Sequence, residues 1–210
     1  MPACLLSVNV GRPQQVSVRR GRPVMSAIGK APVSGRVRVA GVNVDGDDQA
    51  DRTVQGGPDK AVYAYAREDE LWWAAQLARE VPPGMFGENL TLEGVDVSGA
   101  VIGERWRIGT VVLEVCQPRL PCFKLGLRFG DPMMLKRFAQ AGRPGAYLRI
   151  VVEGELGAGD VVDISDRPAH GVTIAQISRA IMLDESELAA AAAAPELPES
   201  LSRWMLERAA

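Results

Sequence analysis

The sequence predicts a mainly β protein with added helices, of the α+β class, followed by a small helical region. Short runs rich in β-branched residues are separated by Gly- and Pro-containing turns, as in a sheet of many strands. Helical spacing of apolar residues is confined to a few segments, most of them near the C-terminal end. We therefore predict a β-rich domain over residues 1–166 and a three-helix domain over residues 167–210.

Strands and two helices are predicted along the first domain. The strands fall at residues 3–10, 16–18, 24–28, 36–42, 105–108, 110–116, 147–152 and 160–164. The second and third of these are expected to form a hairpin about Arg20 and Gly21. Apolar residues at helical spacing predict one helix over residues 67–80, ended by Pro82, and another between Asp131 and Gly142.

The composition changes after Pro168, and the remaining segment has a helical pattern. Ile174, Ile177 and Ile181 fall on one helical face, and an alanine-rich helix follows Asp184. Prolines break that helix before a third one at the end of the sequence. Three short helices need a surface to pack on, so we expect them to lie against the main domain or a partner.

Bulk properties exclude several classes of protein. The chain of 210 residues has a formal charge of −2, which argues against a general nucleic-acid or membrane binder. No apolar run approaches the ~20 residues of a membrane span, and the start has no signal-peptide pattern. The 3 cysteines form no disulfide framework, which favours the cytoplasm. The single histidine, His170, excludes multi-histidine zinc sites and is expected to be a solvated linker residue.

One stretch, residues 117–125, carries the strongest chemical signal. It follows a predicted strand, and its two prolines should shape a loop that leaves the sheet. Cys122 lies on this loop between Arg119 and Lys124, and neighbouring cations favour the thiolate that attacks electrophiles and binds soft metals. The spacing to Arg128 matches that of cysteine phosphatases, but the bulky apolar residues between them exclude a phosphate-binding loop. A buried, inert cysteine is the alternative interpretation.

Other loops carry cations, glycines or amides that could converge on a large anion. They contain Lys30 with Arg36, Gln55 to Lys60 with the Gly56-Gly57 pair, and Gly87 to Asn89. The alternative is a set of unrelated surface turns, since turns are naturally rich in these residues. The acidic run at residues 45–51 lacks the spacing of a calcium loop, so we predict a polar loop there.

Taken together, these stretches resemble the MOSC family, the domain also found at the C-terminus of molybdenum cofactor sulfurases. The likeness is to its stand-alone YiiM-like branch and covers about residues 1–165 in the family's order. It is carried by residues 30–36 (KAPVSGR), 56–60 (GGPDK), 83–90 (PGMFGENL) and 117–124 (QPRLPCFK), and by 129–132 (FGDP) and 154–160 (GELGAGD). The helical tail resembles the three-helix domain that follows in this branch.

The resemblance implies a barrel-like MOSC fold and a bound molybdenum cofactor (molybdopterin). Cys122 stands at the position of the family's metal ligand, and it is also the implied catalytic residue. The partners implied for the pterin and its phosphate are Lys30, Arg36, Gln55, Gly56, Gly57, Lys60, Asn89, Arg119 and Lys124.

The family also implies reduction of N-hydroxylated compounds, such as hydroxylamino-purines, to amines or amidines. Such a reaction detoxifies N-hydroxylated bases and is independent of pyridoxal phosphate. The chain has no motif for a flavin, haem or iron–sulfur cluster, so electrons must come from a separate flavoprotein or iron–sulfur partner. The resemblance implies neither a nucleic-acid nor a membrane partner, and a homodimer is compatible with the sequence.

One departure from the family leaves three functions open. Gln55 stands where relatives usually carry His before Gly-Gly-Pro, and a glutamine cannot titrate. The first function is the molybdenum reductase. The second is a sulfur carrier in which Cys122 holds a persulfide. The third is a non-catalytic carrier of the cofactor.

Overall fold

The computed structural model describes residues 2–48 and 56–210. Thirteen strands lie in these residues: β1 (Cys4–Val10), β2 (Gln14–Arg19), β3 (Arg22–Ser26), β4 (Ala31–Val33), β5 (Arg36–Ala40), β6 (Asn43–Val44), β7 (Val62–Ala66), β8 (Leu90–Glu93), β9 (Arg105–Ile108), β10 (Val111–Pro118), β11 (Ala146–Val152), β12 (Gly154–Gly157) and β13 (Val162–Ser165). The described helices are α1 (Arg67–Leu77), α2 (Phe123–Phe129), α3 (Met134–Ala141), α4 (Ile174–Met182), α5 (Leu188–Ala191) and α6 (Glu199–Ala209). The predicted class, a sheet protein with added helices, is confirmed.

An eight-stranded mixed sheet forms the scaffold, in the order β13-β9-β10-β11-β7-β8-β1-β4. Its pairs are antiparallel except for β7 and β8, which run parallel because α1 crosses between them. Hydrogen bonds from Leu5 N to Asp160 O (2.8 Å) and from Val162 N to Ala3 O (2.9 Å) join β1 to the segment that enters β13. These bonds connect the two ends of the strand order and so close the sheet in the manner of a barrel.

The principal core fills this closed sheet and continues into the C-terminal helices. Leu5, Trp106 and Leu113 from the strands are fully buried, and so are Ile174 and Ile177 from α4. The N-cap of α4 is Thr173, whose side chain and that of Gln176 form a capping box. The tail therefore packs on the main domain, as its short helices require. The boundary at residue 166 stays a prediction, since the two parts share one core.

A second core, mainly aromatic, lies beneath the first three helices. Phe86 stacks on Tyr65 with 4.3 Å between ring centroids, and it also contacts Phe129 of α2 and Phe138 of α3. Trp73 is buried in this cluster and donates a hydrogen bond from Nε1 to the Tyr65 hydroxyl at 2.9 Å. Trp73 is thus a packing residue whose indole N–H is satisfied by a hydrogen bond, as expected for buried indoles.

Several local predictions differ from the structure. The strand β10 extends to Pro118, and α2 begins at Phe123, so the loop that carries Cys122 spans only residues 119–122. The helix α2 was not predicted, because no polar side chain caps its start and it contains Gly126, a residue of low helix propensity. The strands β4, β6, β7, β8 and β12 were also not predicted, and α1 ends three residues before Glu80.

The prediction for His170 is wrong. Its side chain is 19% exposed, and Nε2 lies 3.1 Å from Ile102 O and 3.2 Å from Glu196 Oε2. The other ring nitrogen, Nδ1, accepts a hydrogen bond from Val172 N at 3.0 Å, so Nε2 carries the proton. His170 therefore ties the connector to both the main domain and the tail.

Candidate functional site

A polar cavity of about 350 Å³ opens between the hairpin β2–β3, the start of α2 and the ends of β7 and β10. This volume lies in the range of small-molecule sites, roughly 300–1,000 Å³. Among the described residues, four cationic and two acidic side chains contribute to its lining, together with one cysteine. The lining residues are Ser26, Ala27, Ile28, Lys30, Asp47, Asp48, Lys60, Tyr63, Gly87, Asn89, Gln117, Pro118, Arg119, Leu120, Pro121, Cys122, Lys124 and Tyr147.

Cys122 reaches this cavity because the sheet ends four residues before it. Pro118 is the last residue of β10, and Pro121 keeps the chain extended until α2 begins at Phe123. Cys122 is the N-cap of that helix, and its carbonyl accepts a hydrogen bond from Leu125 N at 2.9 Å. The thiol is half-buried in the lining and forms no disulfide. Cys122 is therefore the candidate nucleophile or metal ligand of the cavity.

Arg119 is a buried cation at the base of the same loop. Only 7% of the residue is exposed, and its guanidinium donates a hydrogen bond to the carbonyl of Phe86. Its Cζ lies 5.2 Å from the centroid of Tyr63 and 5.9 Å from that of Phe138. Arg119 thus anchors the Cys122 loop to the aromatic core and places a fixed positive charge against the cavity.

Lys30 and Asp47 form a buried ion pair in the cavity wall, with side chains 8% and 3% exposed. Asp47 also accepts hydrogen bonds from Gly11 N at 2.8 Å and from Asn89 Nδ2 at 2.9 Å. Burial lowers the pKa of Lys30, and the charge of Asp47 opposes that shift. The pair joins three segments that are far apart in the sequence.

Asn89 is also fully engaged within the protein. Its Oδ1 accepts a hydrogen bond from Tyr63 N at 3.1 Å, while Nδ2 donates to Asp47 and to Asn9 O. These bonds fix the end of β8 against β7. Asn89 therefore faces the cavity as a shaping residue whose amide is committed to neighbouring groups.

Two tyrosines and a further lysine also line the cavity. Burial raises the pKa of both Tyr63 and Tyr147, so their phenols stay protonated. Tyr63 donates its hydroxyl proton to Pro144 O at 2.9 Å. Burial lowers the pKa of Lys60, against the opposing charge of Asp59. With neutral phenols, the lining has an excess of positive charge that suits an anionic ligand.

A pair of buried carboxyls lies under the loop that forms the cavity floor. Glu88 accepts hydrogen bonds from Phe86 N at 3.0 Å and from Gly84 N, and it is fully buried. Glu70 of α1 faces it, and Arg67 Nη1 donates to Glu70 Oε2 at 2.7 Å. Burial raises the pKa of both acids, and the negative charge of Glu88 raises that of Glu70 further. Glu70 Oε1 has no hydrogen-bond partner among the described residues, and the raised pKa of Glu70 favours its neutral, protonated form beside Glu88.

The structure brings together most, but not all, of the predicted site residues. Those that line the cavity are Lys30, Lys60, Asn89, Arg119, Cys122 and Lys124. Arg36 lies elsewhere, at the start of β5, where it donates to Glu155 O at 2.8 Å and to Asp160 Oδ1 at 3.1 Å. Gly56 and Gly57 precede a short 3-10 turn that carries Lys60 but are not part of the lining. Gln55 lies outside the described residues.

Sequence reasoning missed the buried acids of the site. Asp47 belongs to a run interpreted as a polar surface loop, and its partner Lys30 lies 17 residues away. Glu88 is separated by 18 positions from Glu70, which sits in the acidic first turn of a helix. A signal was present for Asp47, because residues 2–44 contain cations but no acid that could pair with them.

The closed mixed sheet and the thiol-bearing cavity with its cations define a barrel-like α+β protein with a candidate anion-binding site. Comparison with known sequences gives this class a name. Residues 51–163 match the MOSC domain, and the chain belongs to the MOSC domain family. The MOSC domain is associated with molybdenum cofactor binding.

Sequence similarity to known proteins extends over nearly the whole chain. Protein YflK of Bacillus subtilis (strain 168) is 35% identical over 186 residues, covering 89% of this chain and 84% of that protein. Protein YiiM of Escherichia coli (strain K12) is 31% identical over 195 residues, covering 90% and 85%. A protein of Gibberella moniliformis named a reductase is 33% identical over 205 residues, but only 35% of its length is covered.

The fold also matches a solved structure. YiiM from Geobacillus stearothermophilus has a TM-score of 0.82 at 31% identity, with all of both chains covered. The chain is therefore a YiiM-like MOSC protein, as its sequence predicted. Among the described residues, no helix is long and apolar enough to cross a membrane.

Proposed function

We propose that this chain binds the molybdenum cofactor in the cavity, with Cys122 as the metal ligand, and reduces N-hydroxylated small molecules. The observation that supports this most directly is the position of Cys122, the one thiol in a cavity lined by four cations. The family's association with the cofactor and the reductase-named relative agree with it.

The donor set of the cavity fits a metal that brings its own ligands. In the part of the chain that the structure describes, no group of three or more His, Cys, Asp or Glu side chains could hold a bare metal ion. Cys122 offers a single thiolate, and thiolates suit soft or high-valent metals. A metal already held by a pterin dithiolate needs only one such ligand from the protein.

The charges of the cavity fit the rest of the cofactor. Lys60, Lys124 and Arg119 contribute positive charge around Cys122, which would neutralise a phosphate and a dithiolate. Lys30 is paired with Asp47, so we assign it to shaping the cavity wall. When bound, the cofactor would supply two-electron redox chemistry.

The overall reaction is then balanced by a separate electron donor. The N–O bond of the substrate breaks, two electrons and two protons enter, and the amine or amidine and one water leave. Cys122 would hold the metal at the cavity wall, where the protonated Tyr63 and Tyr147 add no charge of their own. A flavoprotein or iron–sulfur protein would provide the electrons.

The test is turnover by the protein purified from a host that makes the cofactor. A neutral, photoreduced deazaflavin serves as the electron donor and a hydroxylamino-purine as the substrate. We expect amine product with the wild type and with Cys4→Ser, whose cysteine lies outside the cavity lining, and none with Cys122→Ser. Loaded protein without turnover would favour a non-catalytic carrier. Persulfide on Cys122 in protein without metal would favour the sulfur carrier.

A further inference from the structure

A basic hairpin, β2–β3, lies beside the cavity and has no role in the proposed function. The strands β2 and β3 form a two-stranded sheet of their own, separate from the other two sheets. The residues that follow β3, Ala27 and Ile28, line the cavity together with Ser26. The hairpin is therefore attached directly to the lip of the site.

Two segments of the sequence near the hairpin are rich in positive charge and contain no acidic residue. Residues 2–44 and 117–130 together carry 10 of the 24 cationic residues and none of the 26 acidic ones. The whole chain has a net charge of −2, so the rest of it is strongly acidic. The fold places the hairpin from the first segment against α2 from the second.

Two contacts fix this juxtaposition. The guanidinium carbon of Arg19 lies 5.3 Å from the ring centroid of Phe123, the residue after Cys122. Arg128, at the other end of α2, has Nη1 within 3.9 Å of the position that a Cβ on Gly29 would occupy. We call Arg19, Arg20, Arg22, Arg128, Leu120 and Phe123 the basic rim.

The arginines of the basic rim differ from most others in the protein. Eleven arginines within residues 2–48 and 56–210 form salt bridges: Arg36, Arg38, Arg67, Arg105, Arg137, Arg143, Arg149, Arg167, Arg179, Arg203 and Arg208. No acidic residue of the described chain pairs with the four arginines of the rim. Arg19 and Arg22 even lie directly opposite each other in the hairpin register, where like charges repel. An anionic surface bound here would relieve that repulsion.

The rim is also apolar enough for a protein partner. Leu120 and Phe123 are 43% and 39% exposed, and Leu127 on the same helix is 44% exposed. Arginine combined with exposed aromatic and aliphatic side chains is the composition of protein–protein interface centres. A second copy of this chain would bring the same positive charge, so self-association through this surface is disfavoured.

We propose that the basic rim docks the acidic face of an electron-transfer protein. This proposal rests on the proposed function, since a reductase without its own flavin, haem or cluster needs such a donor. A partner seated on the rim would lie next to Phe123 and hence beside the proposed metal ligand. Contacts of this type are small and transient, with complementary charge setting the association rate.

The test measures binding separately from turnover. An acidic [2Fe–2S] ferredoxin and an acidic flavodoxin are titrated into the purified protein at low and at high ionic strength. The test variant is Arg19→Glu/Arg22→Glu/Arg128→Glu, and the control, Arg107→Glu/Arg203→Glu/Arg208→Glu, has the same net charge. A neutral variant, with Gln at the three rim positions, guards against misfolding caused by charge reversal, and thermal melts verify the fold of each protein.

We expect at least one donor to bind at low ionic strength and to bind more weakly in high salt. The affinity should fall by roughly tenfold or more in the charge-reversal rim variant and by less in the neutral variant, while the control stays close to wild type. Turnover with the neutral deazaflavin should not change in the rim variants. Equal affinity in rim and control variants, no binding by either donor, or binding only to anionic lipid vesicles would overturn the proposal. Binding without turnover would contradict the proposed function and leave the docking surface standing.

Discussion

The buried ion pair between Lys30 and Asp47 gives a direct measure of how the cavity wall is held. Changing Lys30→Met keeps the aliphatic volume and leaves the Asp47 carboxylate buried without its cation. Removing one partner of a buried pair typically costs about 3–5 kcal/mol. Asp47 keeps hydrogen bonds from Gly11 N and Asn89 Nδ2 at 2.8 and 2.9 Å, which offset part of the loss. We therefore expect a destabilisation near the lower end, about 3 kcal/mol.

A double-mutant cycle separates the pair from its surroundings. In Lys30→Met/Asp47→Leu both charges are gone, but the donors on Gly11 and Asn89 lose their acceptor at about 1 kcal/mol each. The double variant should thus be less destabilised than the sum of the two single variants, by about 2 kcal/mol or more. Urea unfolding at neutral pH gives the four free energies of unfolding.

An exposed ion pair provides the control for this cycle. Arg38 and Glu153 have side chains 64% and 56% exposed, with 3.9 Å between Arg38 Nη2 and Glu153 Oε2. Arg38→Met should change the free energy of unfolding by less than about 1 kcal/mol. If Lys30→Met cost no more than Arg38→Met, or if the cycle showed no coupling, the structural role of the pair would be refuted.

Two further predictions concern residues close to the cavity, the buried acid Glu70 and the glycine Gly84. Because the pKa of Glu70 in the folded protein lies above its ordinary value of 4.5, the folded state holds more protons than the unfolded state as the pH rises above 4.5. Stability should therefore decline from there toward alkaline pH, and Glu70→Gln, which mimics the protonated acid opposite Glu88, should flatten this decline in urea melts. Gly84→Ala should be more destabilising than Gly35→Ala, which costs about 1–2 kcal/mol for its left-handed backbone alone. Both glycines have positive φ, but a Cβ on Gly84 would lie 2.7 Å from Lys30 O, whereas Gly35 faces open space; equal losses in thermal melts would count against this close approach.

Much of the sheet could be predicted from the sequence because its strands have local signatures. The hairpin β2–β3 and the strands β1, β5 and β9 were found from β-branched residues and turn residues alone. The helix α2 was missed because nothing local distinguishes it. The side chain of its N-cap residue, Cys122, forms no capping hydrogen bond, and the helix packs Leu125 and Phe129 into the aromatic core.

The residues of the site also fall into two groups, those with a local sequence pattern and those whose role depends on the fold. Cys122, Lys60 and Lys124, which line the cavity, could be singled out because a cysteine or lysine in a proline- or glycine-rich loop is a local pattern. The roles of Asp47 and Glu88 depend on partners that only the fold brings near. Arg36 belongs to a matching motif, but in the structure it pairs with Asp160 and is not part of the cavity lining.

The central claim is that Cys122 holds the metal of a molybdenum cofactor in this cavity. Its most direct test is the molybdenum and pterin content of the protein purified from a host that makes the cofactor, for wild type, Cys122→Ser and Cys4→Ser. We predict near-stoichiometric metal and pterin in the wild type and in Cys4→Ser, with molybdenum lost from Cys122→Ser. Equal molybdenum in Cys122→Ser and the wild type, or almost none in any of the three proteins, would contradict the claim.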